Sequence, residues 1–263
     1  MRQLVIAIRN YNRENYKKII DAIVMAGFEN VFIEWYNDDI ILQQNILNYV
    51  KEKNLKIVFA HLGYQNSNAL WENGIEGDKE AQRYIEDIKI CKANGIDLVI
   101  IHPTIGFYAP NPNNIGIKRI EQIVNYAEQL NVKVAFENVE LSGYLEYIVD
   151  NINNENLGIC FDSGHCNLFF DGEFDVDKFK NKVLAIHLHD NFKMNDDHIL
   201  PFDGTVDWNK VTSQIIDMNY DGYIVIESGY DKFYSTISII EYYNKAYEAG
   251  KRLENLFEIN KNK

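Results

Sequence analysis

The chain has 263 residues, 46% of them hydrophobic and 25% charged, with a formal net charge of −13 at pH 7. That apolar fraction supports a substantial core and excludes a disordered chain, and no run approaches the ~18 apolar residues of a membrane span. The acidic balance suits phosphate-backbone binding poorly, and the densest basic run, "KFKNK" at 178–182, is too short for a polybasic patch. The start, "MRQLVIAIRNYNRENYKK", carries one five-residue apolar run before charges return, so it is read as a first strand and not as a signal-peptide core. Cys91, Cys160 and Cys166 form no CxxC pair, so reduced thiols in the cytoplasm are expected.

In chain order, the first strand is "LVIAI" (4–8). The turn after it, "AIRNYNREN", lacks the glycine fingerprint of a dinucleotide site. "YKKIIDAIVMAGF" then has helical spacing, with Ile19, Ile20, Ile23 and Val24 on one stripe and Gly27 placed to close it. "VFIEW" (31–35), "KIVFAHL" (56–62) and "LVIIHP" (98–103) follow as strands, and "AQRYIEDIKICKANG" repeats the helix device, ending at Gly95. "IKRIEQIVNYAEQLN" does so again with Asn131, before the strands "KVAFENV" (133–139), "LGICFDSGH" (157–165), "VLAIHLHD" (183–190) and "YIVIESG" (223–229). A long amphipathic helix over roughly 236–258 ends the chain. Near-continuous apolar strands fit a parallel sheet buried on both faces. Eight strand–helix units without a linker predict a closed α/β (β/α)₈ barrel, a TIM barrel, over residues 1–263 as one domain.

The strand ends carry the chemistry. They read Glu34-Trp35, His61, His102-Pro103, Glu137-Asn138, Asp162-Ser163-Gly164-His165, His187-Leu188-His189-Asp190 and Glu227. Seven of eight strands thus place a carboxylate or imidazole at the same end, which is the active end of such barrels. Glu137, Asp162, His187 and Glu227 form a set of three carboxylates and one imidazole, suited to Mn²⁺ or Zn²⁺, with Co²⁺ or Mg²⁺ as further options. Without a cation, such groups repel one another in a low-dielectric mouth. Blander roles stand beside these: Asp162 as a helix N-cap, His102 as a packed core histidine, His189 as an outer or surface residue. Cys160 and Cys166 read as packing residues.

These residues carry a resemblance to the xylose-isomerase-like barrels, a superfamily of sugar and sugar-phosphate isomerases and epimerases that also contains endonuclease IV. It extends over nearly the whole chain through "FEN" (136–138), "FDSGH" (161–165), "HLHDN" (187–191), "DDHILPFDGTVDW" (196–208) and "IES" (226–228). The resemblance implies a shared metal site of Glu137, Asp162, His187 and Glu227. It selects His187 over His189 because an acid, Asp190, follows three residues later. It implies Glu137 and Glu227 as the catalytic acid and base and His165 as a residue that holds the sugar. Glu34, His61, His102 and His198 are further substrate-binding candidates. Trp35, Trp71 and Phe107 are candidates for an apolar wall, and Lys193 is the nearest candidate for a basic residue gripping substrate.

The expected activity is metal-dependent isomerisation or epimerisation of a small carbohydrate or polyol carbonyl compound, through a metal-stabilised enediolate. A homo-oligomer is compatible with this; membrane and nucleic-acid partners are not expected. A second reading is a tri-zinc phosphodiesterase like endonuclease IV. Its nine ligands have counterparts in His61, His102, Glu137, Asp162, His165, His187, Asp196, His198 and Glu227, but the acidic charge and the lack of basic loops rank it second. A third is a barrel that only binds a sugar.

Overall fold

The structure is a computed structural model that describes residues 2–9 and 15–262; residues 10–14 of the first strand–helix turn lie outside the described residues. Eight strands appear where the apolar runs predict them: β1 Leu4–Ile8, β2 Asn30–Glu34, β3 Lys56–His61, β4 Leu98–Ile101, β5 Lys133–Glu137, β6 Leu157–Asp162, β7 Val183–His187 and β8 Ile224–Ile226. They alternate with α1 Tyr16–Met25, α2 Ile40–Glu52, α3 Ile75–Ala93, α4 Asn114–Gln129, α5 Tyr144–Asn151, α6 Ser163–Phe170, α7 Trp208–Asp217 and α8 Ile239–Lys261. All strand pairs are parallel, in the order β7-β6-β5-β4-β3-β2-β1-β8. The seam is drawn together just past β7, where Leu188 N–H donates to Val225 O at 2.9 Å and Glu227 N–H to Leu188 O at 3.0 Å. The result is a (β/α)₈ barrel.

Side-chain alternation sorts each strand into an inward and an outward row. The inward row reads Phe32 and Glu34 on β2, Phe59 and His61 on β3, and Ala135 and Glu137 on β5. It continues with Cys160 and Asp162 on β6 and Ala185 and His187 on β7. Phe32 and Phe59 stack at 4.7 Å between ring centroids, and the His187 ring lies 5.2 Å from Phe32 and 5.6 Å from Phe59. Two phenyl rings therefore plug the barrel, and small residues on the far strands make room for them. Polar groups begin one pleat above.

The outer helices pack by the stripes the spacing predicts, with one change. In α1, Ile19, Ile20, Ala22 and Ile23 are buried, while Val24 is 38% exposed. Val24 lies roughly 140° round the helix from Ile19, beyond the edge of the covered arc, and the smaller Ala22 takes its place.

Candidate active site

Sheet register assembles the site. Glu34 is level with His61 across β2–β3, and Asp162 is level with His187 across β6–β7. Asn138 locks two strand ends together: its side chain accepts from Asp162 N–H at 2.7 Å and donates to Asp162 O at 2.9 Å. Asp162 does cap α6, accepting from His165 N–H at 2.6 Å, and its other oxygen still faces the barrel axis. The cap and the site are one carboxylate.

One donor atom each from Glu137, Asp162, His187 and Glu227 lies within 4.8 Å of the others, and all four residues are buried. His187 Nδ1 is 3.1 Å from Glu137 Oε2 and 3.3 Å from Glu227 Oε2. Even so, His187 Nδ1, Glu137 Oε1 and Glu227 Oε2 have no hydrogen-bond partner among the described residues. Buried polar atoms without partners cost stability, and donors that converge without bonding one another fit a shared cation. Three carboxylates and an imidazole are also a hard, anionic donor set appropriate to a divalent ion.

Three of the other histidines are oriented by backbone carbonyls, which can only accept. Nδ1–H of His61 faces Leu62 O at 3.2 Å, that of His165 faces Asn138 O at 2.8 Å, and that of His198 faces Glu227 O at 3.1 Å. Each points its Nε2 into the mouth, the arrangement that orients metal-binding or substrate-binding imidazoles. His61 Nε2 meets His102 Nε2 at 3.1 Å, and Asp196 Oδ2 stands between His165 (3.3 Å) and His198 (2.8 Å).

Charge follows from this crowding. Burial works against a charged His187, but the carboxylates of Glu227 and Glu137 outweigh it and hold the imidazole at about 9. Burial likewise opposes a charged Asp162, yet His165 and His189 pull its carboxyl down to about 2. Glu227 is raised, with burial dominant, whereas Glu137 is lowered against its burial by His187 and His102. Burial, then Arg9, presses His198 down to about 3.

Above the cluster is a cavity of about 410 Å³, lined among others by Glu34, Trp35, His61, His102, His165 and His198, with Glu137 and Glu227 at its floor. Asp162 and His187 lie beneath, fully buried. Three expected contributors do not line this cavity. Trp71 is buried outside it, its Nε1–H donating to Pro103 O at 2.7 Å and its ring pressed over Gly116. Lys193 pairs with Asp171 at 3.1 Å on the outer side of the loop after β7. Phe107 is 63% exposed and packs on Phe169. The first two placements share a cause: the long loops fold outward over α4 and α6 before returning.

Among the described residues, the mouth also holds a basic residue, Arg9, just past β1, which sequence reading passed over. Its Nε donates to Glu34 Oε1 at 2.8 Å, and its guanidinium lies 3.9 Å from Glu227 Oε1. Its position directly after an apolar run, like that of Glu34 at the end of β2, was the available signal. Tyr64 was also missed; it stacks on His102 at 4.1 Å.

Comparison with known proteins agrees with this architecture. Protein y4fM of Sinorhizobium fredii is 35% identical over 138 residues, 52% of this chain and 43% of its own length. The chain spans about half the length of the first curated relatives it matches, 43% and 50%. A D-psicose 3-epimerase of Enterocloster bolteae is 23% identical over 239 residues, 81% of this chain and 76% of the relative. A probable endonuclease 4 of Citrifermentans bemidjiense is 28% identical over 143 residues, 44% of this chain and 49% of the relative. Among solved structures, a D-tagatose 3-epimerase-like protein shares the fold with a TM-score of 0.75 at 19% identity, covering 99% of this chain and 98% of that one. The family described as xylose isomerase-like TIM barrel matches residues 17–255, and the chain belongs to it.

Proposed function

We propose that this barrel is a divalent-cation-dependent isomerase or epimerase of a sugar or a related polyhydroxylated carbonyl compound. The observation that carries the reading is the pair Glu137 and Glu227, which come from β5 and just past β8, line one cavity, and each keep a buried oxygen without a partner among the described residues. The relatives named as sugar epimerases support it.

Glu137, Asp162, His187 and Glu227 would hold the cation. When bound, it supplies positive charge that lowers the cost of negative charge developing on the substrate's carbonyl oxygen. One glutamate takes the proton from the carbon beside the carbonyl, and the other returns a proton to the opposite face. Positioned carboxylates of this kind typically contribute ~10²–10⁴-fold. Trp35 and Tyr64 give the cavity flat walls, while Arg9, Glu34 and His198 offer partners to hydroxyl groups.

The test is incubation with Mn²⁺ and D-psicose in D₂O. Deuterium should enter the sugar beside its carbonyl, and Glu227→Gln should abolish that exchange while leaving the fold intact. No exchange into D-psicose, D-tagatose or L-ribulose by Mn²⁺-loaded protein would remove this reading.

A second reading, a multi-zinc phosphodiesterase, is favoured by two observations. The Nε2 atoms of His61 and His102 lie 3.2 and 3.5 Å from Glu137 Oε2. A separate group, His165, His189, Asp196 and His198, also gathers donors within 4.8 Å. Elemental analysis separates the two readings: one cation per chain favours the isomerase, three zinc ions the phosphodiesterase. Cleavage of a duplex with an abasic site would confirm the latter.

A further inference from the structure

We infer that Asp87, on α3 and outside the cavity, is a positioning residue that sets the wall against which the substrate lies; the inference rests on the reading of that cavity as a sugar site. Glu80, Arg83 and Asp87 share one face of α3, at spacings of three and four residues. Asp87 Oδ1 accepts from Trp35 Nε1–H at 3.1 Å, and Oδ2 accepts from Asn37 Nδ2–H at 3.2 Å and from Arg83 Nη1–H at 2.7 Å. Arg83, held in turn by Glu80, donates from Nη2 to Gly63 O at 2.7 Å. Trp35 and Asn37 follow β2, Gly63 follows β3, and all three line the cavity.

One buried cluster therefore grips both segments that form this wall. The segments touch: a Cβ on Gly63 would stand 3.2 Å from Gln65 Oε1 and 3.4 Å from Asn37 Nδ2. A third anchor comes from α2, where Gln43 Oε1 accepts from Tyr36 N–H at 2.9 Å. Stability alone does not call for such an arrangement. Buried ionic clusters are weak stabilisers compared with apolar packing of similar volume, and any carbonyl would satisfy one indole N–H. What a carboxylate adds is acceptor capacity on both oxygens, so that Trp35, Asn37 and Arg83 are fixed by a single group. Asparagine at this position keeps one acceptor and turns a donor toward two others.

The test compares wild type with Asp87→Asn, Asp87→Leu and Trp35→Phe. Three quantities are read: Mn²⁺ affinity by calorimetry, kcat and KM on D-psicose, and amide hydrogen exchange. In Asp87→Asn, KM should rise about tenfold with kcat within about threefold, the pattern of lost uniform binding. Mn²⁺ affinity should stay unchanged. Exchange should quicken over 35–38 and 62–65 but not over 133–137 and 183–187. Trp35→Phe, which removes one of the three bonds, should show a smaller rise in KM. Wild-type KM and wild-type exchange in Asp87→Asn would overturn the inference. So would kcat, KM and Mn²⁺ affinity worsening together, because that marks a general structural role. If Asp87→Leu fails to fold, Asp87→Asn decides. If Mn²⁺-loaded wild type leaves D-psicose unchanged, the sugar reading fails and exchange over 35–38 and 62–65 alone decides the role of Asp87.

Discussion

His187 and His189 stand two residues apart and point the same way from the sheet, yet they meet different neighbours. His187 Nδ1 lies among Glu137, Glu227 and Asp162, with its ring on the phenyl plug below. His189 Nε2 lies 3.1 Å from Asp162 Oδ2, and its ring stacks on His198 at 3.9 Å. It is fully buried and sits at the outer edge of the cluster, not on the surface. His187→Ala is therefore expected to lose Mn²⁺ in a calorimetric titration. His189→Ala should keep it, with affinity reduced at most ~10–100-fold, the usual effect of a group that orients ligands. Retention by His187→Ala together with loss by His189→Ala would invert the assignment.

The loop between β7 and α7 shows how one buried side chain organises an element. Asp190 accepts four hydrogen bonds: Oδ1 from Asn191 N–H and Val206 N–H at 2.9 Å each, Oδ2 from Phe202 N–H at 3.1 Å and from Trp208 Nε1–H at 3.0 Å. Gly204 approaches so closely that a Cβ would stand 2.3 Å from Asp190 Oδ1. Lys193, His198 and Phe202 adopt left-handed backbone at φ 59°, 47° and 77°. For non-glycine residues that strain persists only where the surroundings over-determine it, and the Asp190 clasp supplies the constraint that presents His198 and Asp196 to the mouth. Asp190→Ala orphans four donors at roughly 1–3 kcal/mol each if none finds water. It should lower Tm by 5 °C or more, on a scale of about 2–4 °C per kcal/mol, and loosen residues 191–206 in hydrogen exchange. An unchanged Tm would show that the loop is held otherwise. On the opposite side, Gly116 lets α4 meet Trp71, whose Cε3 would be 2.0 Å from an added Cβ. Gly116→Ala should cost about 1–3 kcal/mol in urea unfolding through overpacking, with little change in Mn²⁺ affinity because Trp71 does not line the cavity.

At the scale of the molecule, the strands and the convergence of their polar ends were legible because both depend on local pattern: apolar runs of strand length, and a charge where each run stops. Asp162 and His187 come together because parallel register sets them level, while Glu137, level with Cys160, and Glu227, just past β8, reach the same point from neighbouring strand ends. The loops were not legible. "DDHILPFDGTVDW" was visible as a motif, but its clasp on Asp190 depends on backbone amides that no side-chain pattern reveals. Trp71 and Lys193 face away from the mouth because packing against α4 and a pairing with Asp171 decide their direction. On the proposed reading, the concentration of carboxylates also ties stability to the cation. At about 100 times its Kd, a bound ion adds ~2.7 kcal/mol, so chelation by EDTA should lower Tm by about 5–10 °C, and added Mn²⁺ should restore it. The most direct measurement of the central claim is the anomalous difference map of Mn²⁺-loaded crystals at the manganese edge. The expected result is a peak between Glu137, Asp162, His187 and Glu227, with His187 Nδ1 at ~2.0–2.2 Å from the ion. A map with no peak there, or with its only peak among His165, His189, Asp196 and His198, would contradict it.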